Sequence, residues 1–313
     1  MQPTTAILLM AYGGPDSLDD VAPYLADIRH GRPTSPELIK EIAARYAAIG
    51  GKSPLLAITR LQAKRLEKEL NNQGDRKFEV FVGMRHWHPY IRDVVETIHS
   101  AKIFKIIALC MTPFSSRMTT GAYFEKLESA IKDIYSGAQP EVNYVGPWFK
   151  HPKYIQALAQ NIKQGLGRFN GYPQAQVPVV FTAHSLPSAL AEQGDPYHEQ
   201  FAELANRVAR AAGLTEGQWT AGYQSAGASG ERWLGPSLKE MIALLAKNGH
   251  KSVLIAPIGF LTDHVEILYD VDIEAKQYAN QLGIKLERTP SLNTDKELIN
   301  AWAQMIIEEK FCG

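Results

Sequence analysis

Short, uninterrupted apolar segments alternate with amphipathic segments along the chain of 313 residues. The first apolar segment is residues 7–11 (ILLMA), and it is followed by the turn sequence Gly13-Gly14-Pro15. By this pattern the predicted strands are 7–11, 78–82, 103–109, 177–183, 219–223 and 252–256. The predicted helices are 18–28, 36–46, 55–70, 91–100, 201–212 and 237–248. Because apolar strands separated by helices are typical of parallel sheets covered on both faces, the sequence predicts an α/β fold.

The two halves of the chain also resemble each other. Residues 7–15 (ILLMAYGGP) align with residues 179–187 (VVFTAHSLP), so that the Ala and Pro residues coincide and Tyr12 falls opposite His184. This repeat predicts two similar Rossmann-like domains, 1–147 and 148–313, with the last helix, about 295–311, able to pack back on the first domain. Ligands of open parallel sheets bind beyond the carboxyl ends of the strands, so we expect a binding cleft between the domains.

The composition excludes several classes of protein. Lys and Arg total 33 and Asp and Glu total 33, so the basic excess of a nucleic-acid binder is absent. Cys110 and Cys312 are the only cysteines, which excludes a disulfide framework and a four-cysteine metal site. No run of about 18 apolar residues occurs, and the first residues lack a basic signal-peptide region. We therefore expect a cytoplasmic protein with no membrane span and no nucleic-acid partner.

A histidine and a run of acids are the first candidates for chemistry. His184 directly follows a predicted strand, and imidazole takes up protons or binds metal near neutral pH, although an isolated histidine more often bonds a loop carbonyl. Residues 263–274 contain five acids, one His and no Lys or Arg. Glu266, Asp270 and Glu274 are spaced by four residues, which predicts that they share one helical face. Since no cation nearby in the sequence neutralises them, they favour passage of a divalent metal; a solvated face is the alternative.

The opposite charge is concentrated in residues 29–65, which contain eight Lys or Arg and two acids. Arg29 and the loop 49–54 (IGGKSP) are candidates for binding anions, because Arg grips carboxylates and glycines expose backbone N–H groups; solvated helix faces are the alternative. Aromatic residues in predicted loops, such as Tyr12, Tyr123 and Trp233, are candidates for lining a flat apolar pocket, although most such residues serve packing. Together these features favour a large planar ligand that carries carboxylates and receives a metal.

The motifs at these positions resemble those of the ferrochelatase family, which inserts ferrous iron into porphyrins. Residues 179–187, continuing to 192–197 (EQGDPY), are similar to the family's signature segment, and residues 257–270 (PIGFLTDHVEILYD) to its catalytic-glutamate segment. Shorter similar segments are 49–54, 223–225 (YQS) and 233–236 (WLGP). The similarity follows the chain in order over nearly its whole length. It implies two similar Rossmann-like domains with a porphyrin cleft between them.

The resemblance also implies a role for each matching residue. His184 matches the family's catalytic histidine and Glu266 its partner glutamate, with proton abstraction from a distorted porphyrin as their expected task. The expected metal contacts are His184, Glu266, Tyr12, Asp270 and Glu274, the last two forming an acidic ridge behind the pair. The expected porphyrin contacts are Tyr12, Arg29, Arg45, Ser53, Tyr123, Trp233 and His86. For His86, beside Trp87 and His88, a packing role is the alternative.

The substrate and partners follow from the same resemblance. Tyr12 is similar to a tyrosine of the branch that uses coproporphyrin III, while Gly14 departs from a threonine common in the family. We expect Fe²⁺ insertion into coproporphyrin III, giving coproheme, with protoporphyrin IX as the alternative substrate. Fe²⁺ is a substrate that Zn²⁺ is expected to replace in vitro, and no tightly bound cofactor or iron–sulfur cluster is expected. The expected partners are porphyrin, ferrous iron and, transiently, neighbouring heme-pathway enzymes. A cobaltochelatase of the same fold and a non-catalytic porphyrin carrier are more distant alternatives.

Overall fold

The computed structural model describes residues 3–73, 76–171, 173–227, 230–308 and 311–312, the last two by their backbone only. These residues cluster into two compact units. The first unit comprises Met1–Trp148 and Asn293–Gly313, and the second comprises Phe149–Leu292. Each unit contains a mainly parallel sheet flanked by helices, which confirms the predicted α/β class.

The elements follow the predicted alternation of strands and helices. The strands are β1 (Thr4–Ala11), β2 (Lys77–Met84), β3 (Lys105–Cys110), β4 (Glu141–Val145), β5 (Val179–His184), β6 (Trp219–Gln224), β7 (Ser252–Ala256), β8 (Lys285–Arg288) and β9 (Phe311–Cys312). The helices are α1 (Val21–Ile28), α2 (Pro36–Ala48), α3 (Leu55–Asn71), α4 (Ile91–Ser100), α5 (Ala122–Ile134), α6 (Pro152–Leu166), α7 (Ser188–Glu192), α8 (Tyr197–Ala212), α9 (Leu238–Lys247), α10 (Val265–Leu268), α11 (Lys276–Gln281) and α12 (Lys296–Ile307). Two π-helical turns, Arg117–Gly121 and Asp270–Ala275, and a 3₁₀ turn, Gln174–Gln176, complete the described elements.

The four parallel strands of each sheet follow the same order, and the first sheet has one further strand at its edge. The first unit has β2-β1-β3-β4-β9 and the second has β6-β5-β7-β8, so β1 and β5 occupy equivalent central positions. Tyr12 follows β1 and His184 ends β5, which places the two aligned residues at the carboxyl ends of equivalent strands. The main-chain N–H of Met84 donates to Pro89 at 2.7 Å, and that of Tyr223 donates to Pro236 at 2.9 Å. Matching order and matching bonds support the internal repeat seen in the sequence.

Apolar residues on both faces of the strands bury the sheets under helices. In β1 every residue after Thr4 is buried, and alternate side chains join a core with α4 and α5. In the second unit, β5 and β7 share a core with α9, the π-helical turn and α11. Helix α9 begins at a capping box, in which Ser237 Oγ accepts from the N–H of Glu240 while the Glu240 carboxylate accepts from the N–H of Ser237. Burial and capping thus hold the strand ends in place.

The last part of the first unit departs from a purely parallel sheet. Strand β9 pairs antiparallel with β4. Helix α12 packs against α3, where Gln62 Nε2 donates to the carbonyl of Asn293 at 2.5 Å. Of the predicted last helix, residues 309–310 lie outside the described part of the chain. Across the ranges that the structure describes, we find no helix whose length and apolar character would let it cross a membrane.

Candidate active site

His184 lies at the carboxyl end of the central strand of the second unit. Its Nδ1 is 2.5 Å from the carbonyl oxygen of Ser185, and because a carbonyl can only accept, Nδ1 carries a hydrogen. The Tyr197 hydroxyl donates to the carbonyl of His184 at 2.9 Å and fixes the strand end. These contacts leave Nε2 to face Glu266, whose Oε1 is 3.4 Å away. The two side chains are 34% and 31% exposed, so the pair is open to a ligand.

Glu266 is held from the neighbouring strands through its backbone. It lies in the short helix α10, whose cap is His264: the Nδ1 of His264 accepts from the N–H of Glu266 at 3.2 Å. The backbone carbonyl of Glu266 accepts from Gln224 Nε2 at 2.8 Å. Gln224 Oε1 in turn accepts from Thr182 Oγ1 at 2.6 Å. Thr182 and Gln224 are buried in β5 and β6, so two strands of the sheet position the segment that carries Glu266.

Asp270 is held by the residue that follows β6. Ser225 Oγ donates to Asp270 Oδ2 at 2.6 Å, and Ser225 has a φ of 58°, a left-handed conformation that non-glycine residues rarely adopt. Asp270 also begins the π-helical turn, in which the carbonyl of Tyr269 accepts from the N–H groups of both Ile273 and Glu274. π-Helical turns are rare and occur frequently at functional sites. Sheet and turn together bring Asp270 into the electrostatic environment of His184.

The charges of His184 and Glu266 stabilise each other. Burial by itself would lower the pKa of His184, but Glu266, the Ser185 carbonyl and Asp270 raise that pKa to about 9. Burial would likewise raise the pKa of Glu266, but His184 and His264 lower it to about 2. Burial lowers the pKa of His264 below its ordinary value. Near neutral pH the site therefore holds a protonated His184, an ionised Glu266 and a neutral His264.

The rest of the acidic run is neutralised by cations from distant parts of the chain, which the local sequence did not indicate. Arg288 binds Asp272 through two hydrogen bonds of 2.7 and 2.8 Å and also lies 3.5 Å from Asp263. Lys239 Nζ is 3.3 Å from Glu274 Oε1. Within the described ranges, no three His, Cys, Asp or Glu side chains gather closely enough to hold a metal ion by themselves. The structure thus places Glu266 against His184 and Asp270 within its electrostatic environment, whereas Glu274 pairs with a lysine.

In the first unit, Tyr12 rests on a buried histidine. Tyr12 is 40% exposed, and its ring centroid is 4.7 Å from that of His86, which is 2% exposed. His86 Nδ1 lies 2.6 Å from the carboxylate of Asp27. Burial lowers the pKa of His86 to about 4 despite the opposing effect of Asp27, so the ring is neutral near pH 7 and Nδ1–H donates to the carboxylate. The geometry favours the packing role for His86, with Tyr12 as the accessible group.

The predicted anion-binding residues of the first unit have partners within that unit. Arg29 Nη2 donates to the carbonyl of Pro33 at 3.2 Å, and Arg45 Nη2 pairs with Glu41 at 2.8 Å one helical turn away. Ser53 is buried, and its hydroxyl accepts from the N–H of Leu55 at 3.3 Å. Arg29 and Arg45 can exchange these partners for a ligand carboxylate, because their hydrogen bonds to Pro33 and Glu41 lie at the surface. Ser53 is placed for packing, as Gly14 meets it directly.

Two predicted aromatic contacts differ in their placement. The prediction that Tyr123 lies in a loop is wrong, because Tyr123 lies in α5 and is only 6% exposed. The guanidinium carbon of Arg85 is 5.6 Å from its ring centroid. Trp233 lies in a half-buried segment of the second unit that bridges to Pro187, just beyond the strand end that carries His184. Trp233 therefore remains a candidate ligand contact near the carboxyl end of β5.

Sequence reasoning missed the residues that hold the site together. Gln224, Ser225 and Asp27 contact site residues directly, and Arg288 reaches both Asp263 and Asp272. Gln224 and Ser225 belong to the segment 223–225 that carried part of the family resemblance, so the motif signalled their presence but not their task. Asp27 and Arg288 belong to no motif, and their partners are distant in the sequence.

Comparisons with known proteins identify the family. The sequence model described as ferrochelatase matches residues 4–310. A ferrochelatase of Herpetosiphon aurantiacus is 39% identical, over 96% of this chain and 97% of its own length. A ferrochelatase of Deinococcus radiodurans is 41% identical, over 97% and 96% of the two chains. A coproporphyrin III ferrochelatase of Geobacillus thermodenitrificans is 36% identical, again over 97% and 96%.

A solved structure of the same fold gives independent support for the architecture. The structure described as SirB from Bacillus subtilis with Fe³⁺ matches with a TM-score of 0.58, over 98% of this chain and 95% of that chain. At 14% sequence identity this likeness concerns the fold alone. The family model and the relatives above 30% identity extend over nearly the whole chain, so the chain belongs to the ferrochelatase family and functions in heme biosynthesis.

Proposed function

We propose that this chain inserts Fe²⁺ into coproporphyrin III, with His184 and Glu266 as the catalytic pair. The observation that carries the proposal is the pairing of His184 Nε2 with Glu266 at 3.4 Å, at the carboxyl end of the central strand. Tyr12 supports the coproporphyrin substrate, because an exposed tyrosine occupies the equivalent strand end in the first unit. One curated relative at 36% identity is itself named a coproporphyrin III ferrochelatase.

The reaction requires a proton acceptor beside the metal. Fe²⁺ replaces the two pyrrole N–H protons of the porphyrin, so two protons must leave as the metal enters. The His184–Glu266 pair carries one shared proton and no net charge near neutral pH. The field of an approaching dication favours loss of the imidazolium proton of His184 toward Glu266 and Asp270, from which it leaves to solvent. The neutral imidazole then accepts the first pyrrole proton, passes it along the same carboxylates to solvent, and accepts the second. Ring distortion lowers the barrier by exposing the pyrrole nitrogens, at a cost that remote carboxylate contacts can offset.

The remaining parts of the proposal concern cofactors, partners and location. Neither a tightly bound cofactor nor an iron–sulfur cluster is part of it, since the chain has two cysteines and Cys110 is buried in β3. Fe²⁺ is the substrate, and Zn²⁺ should replace it in vitro, because imidazole and carboxylate ligands suit both ions. The scarcity of cysteine fits a cytoplasmic setting, where transient contacts with neighbouring heme-pathway enzymes would pass substrate and product.

The test is metalloporphyrin formation followed by absorbance under anaerobic conditions. We expect the protein, at sub-stoichiometric concentration, to convert coproporphyrin III faster than protoporphyrin IX. Glu266→Gln and His184→Ala should each lower kcat by at least about 100-fold, the loss typical of an acid–base group. Glu274→Gln is the matched control variant, because the Glu274 carboxylate pairs with Lys239. It should retain more activity than Glu266→Gln.

Each alternative has its own outcome. Faster conversion of protoporphyrin IX would replace the substrate assignment and keep the chelatase. Porphyrin binding without turnover would favour a carrier, and cobalt insertion into sirohydrochlorin with no porphyrin turnover would favour the cobaltochelatase. Full activity in both Glu266→Gln and His184→Ala would overturn the catalytic pair.

A further inference from the structure

Arg288 is the most extensively bonded cation of the described second unit. It ends β8, and its side chain is only 13% exposed. Its Nε and Nη2 bind the two carboxylate oxygens of Asp272 at 2.7 and 2.8 Å, the bidentate geometry that fixes both partners. Nη2 also lies 3.5 Å from Asp263 Oδ1, and Ser291 Oγ donates to the same oxygen at 2.8 Å. Arg288 therefore ties two carboxylates to the end of one strand.

The two carboxylates bracket the segment that carries the candidate catalytic acids. Asp263 precedes the cap of α10, and Asp272 lies inside the π-helical turn. Glu266 and Asp270 both lie between them in the sequence. Gln224 and Ser225 hold this segment from the side of β6, through the Glu266 carbonyl and the Asp270 carboxylate. Arg288 holds its two ends from the side of β8, so the segment is fixed from both sides.

We infer that Arg288 is a positioning residue that sets the distance from Glu266 and Asp270 to His184. The expected effect on kcat rests on the proposed function. The claim that Arg288 holds the segment between Asp263 and Asp272 rests on the hydrogen bonds alone. Without the guanidinium, Asp272 loses its bidentate partner inside the π-helical turn, while Asp263 loses its nearby cation and keeps the hydrogen bond from Ser291 Oγ. The rare π-helical turn makes this segment especially dependent on side-chain bonds, because its backbone geometry is intrinsically less favourable than an α-helix.

The experiment compares Arg288→Met, Arg288→Lys and a control arginine. Arg207→Met is the matched control, since Arg207 also makes two hydrogen bonds to an acid, Glu203, on the surface of α8. Activity is measured with coproporphyrin III and Fe²⁺, and the folded active fraction is counted by porphyrin fluorescence quenching. We expect Arg288→Met to lower kcat by roughly 10- to 100-fold with the porphyrin KM changed less than about twofold, because a misplacement of about 1 Å can cost about 100-fold. Arg288→Lys should recover part of kcat, and Arg207→Met should match the wild type.

A second readout separates positioning from general destabilisation. Backbone hydrogen exchange in the peptides covering 263–275 should accelerate in Arg288→Met, while exchange in β5 and β6 stays at the wild-type rate. Should Arg288→Met not fold, Asp272→Asn weakens the same bidentate pair with little change in volume and is expected to give the same two results.

The outcomes for the inference and for the proposed function are distinct. A wild-type kcat and wild-type exchange in the Arg288 variants overturn the positioning role and leave the chelatase proposal standing. Absence of turnover in the wild type overturns the proposed function, and exchange in 263–275 then decides the positioning role by itself. A loss of kcat accompanied by uniformly faster exchange across the second unit would show a structural role only and overturn the inference.

Discussion

The ion pair of His184 and Glu266 makes stability depend on pH in two opposite directions. The folded pKa of His184, about 9, lies above its ordinary value of 6.5, so this contribution is complete below pH 6.5 and is lost as pH rises through about 9. The folded pKa of Glu266, about 2, lies below its ordinary value of 4.5, so its contribution is complete above pH 4.5 and is lost as pH falls toward 2. The pair therefore stabilises the fold most between about pH 4.5 and 6.5.

Glu266→Gln should remove much of this dependence on the alkaline side. The largest influence raising the pKa of His184 is Glu266, so the variant's histidine should titrate closer to its ordinary value. We expect the free energy of unfolding to fall less between pH 6 and pH 9 in Glu266→Gln than in the wild type, measured by urea denaturation at both pH values. Glu274→Gln should keep the wild-type difference, and equal differences in all three proteins would contradict the assigned pair.

Single residues could be predicted from the sequence where a motif marked them, and not where tertiary contacts decide. His184 and Glu266 were identifiable because each lies in a segment resembling the family. The apparent absence of neutralising charge around Asp272 was misleading, because Arg288 is 16 residues away and Lys239 is 35 residues from Glu274. Such pairs form only when strands and helices fold together, and no local spacing announces them.

All six predicted strands and all six predicted helices are present in the structure, whereas elements such as β4, β8 and α5 were not predicted. Two further departures from the hydrophobic pattern have backbone causes. Strands such as β1 are buried on both faces, so uninterrupted apolar runs identify them. The acidic segment was predicted as one helical face, but the N–H of Glu274 bonds the carbonyl of Tyr269, five residues back. This π-helical turn rotates the residues after it relative to Glu266, and the 3.6-residue period contains no signal for it. The short antiparallel strand β9 is likewise set by its partner β4.

Gly14, in the loop after β1, packs closely against the loop before α3. A side chain at this position should therefore lower the stability of the fold. A Cβ at this position would lie 2.6 Å from both Cβ and Oγ of Ser53, which is buried. Gly14→Ala should therefore destabilise the protein by about 1–3 kcal/mol through overpacking, measured by urea denaturation.

A compensating change distinguishes this clash from a general effect of alanine. Ser53→Gly in the Gly14→Ala background should recover part of the lost stability, because it removes both atoms that the new Cβ meets. Gly137→Ala, where a Cβ meets nothing within 4 Å, should lie within about 0.5 kcal/mol of the wild type. Equal losses at positions 14 and 137, or no recovery in the double variant, would refute the proposed contact.

The zero net charge of the whole chain conceals a division between its two units. The basic run 29–65 belongs to the first unit and the acidic run 263–274 to the second. Each run finds partners inside its own unit, as Arg45 does with Glu41 and Asp272 with Arg288. Overall composition predicts no nucleic-acid partner, but it could not reveal how far each charged run is already neutralised.

Helix α12 belongs to the first unit, although most of that unit lies before residue 149. We expect Trp302 to contribute much of the packing that holds α12 there. Trp302 is fully buried, and its ring centroid lies 5.9 Å from that of Trp148, edge to face. Trp302→Ala should cost about 3–5 kcal/mol in the free energy of unfolding, as large-to-small changes in a core do. Leu244→Ala, at a leucine that is 57% exposed, is the control and should cost about 0.5 kcal/mol or less.

The segments in which Trp302→Ala accelerates hydrogen exchange test the division into two units more sharply than the size of the stability loss. Hydrogen exchange in Trp302→Ala should accelerate in α3 and β1, which belong to the same unit as α12, although they lie more than 200 residues earlier. It should change little in β8, which precedes α12 directly in the sequence but belongs to the second unit. Faster exchange confined to β8 would mean that α12 stabilises its neighbours in the sequence, and the assignment of residues after Asn293 to the first unit would then be wrong.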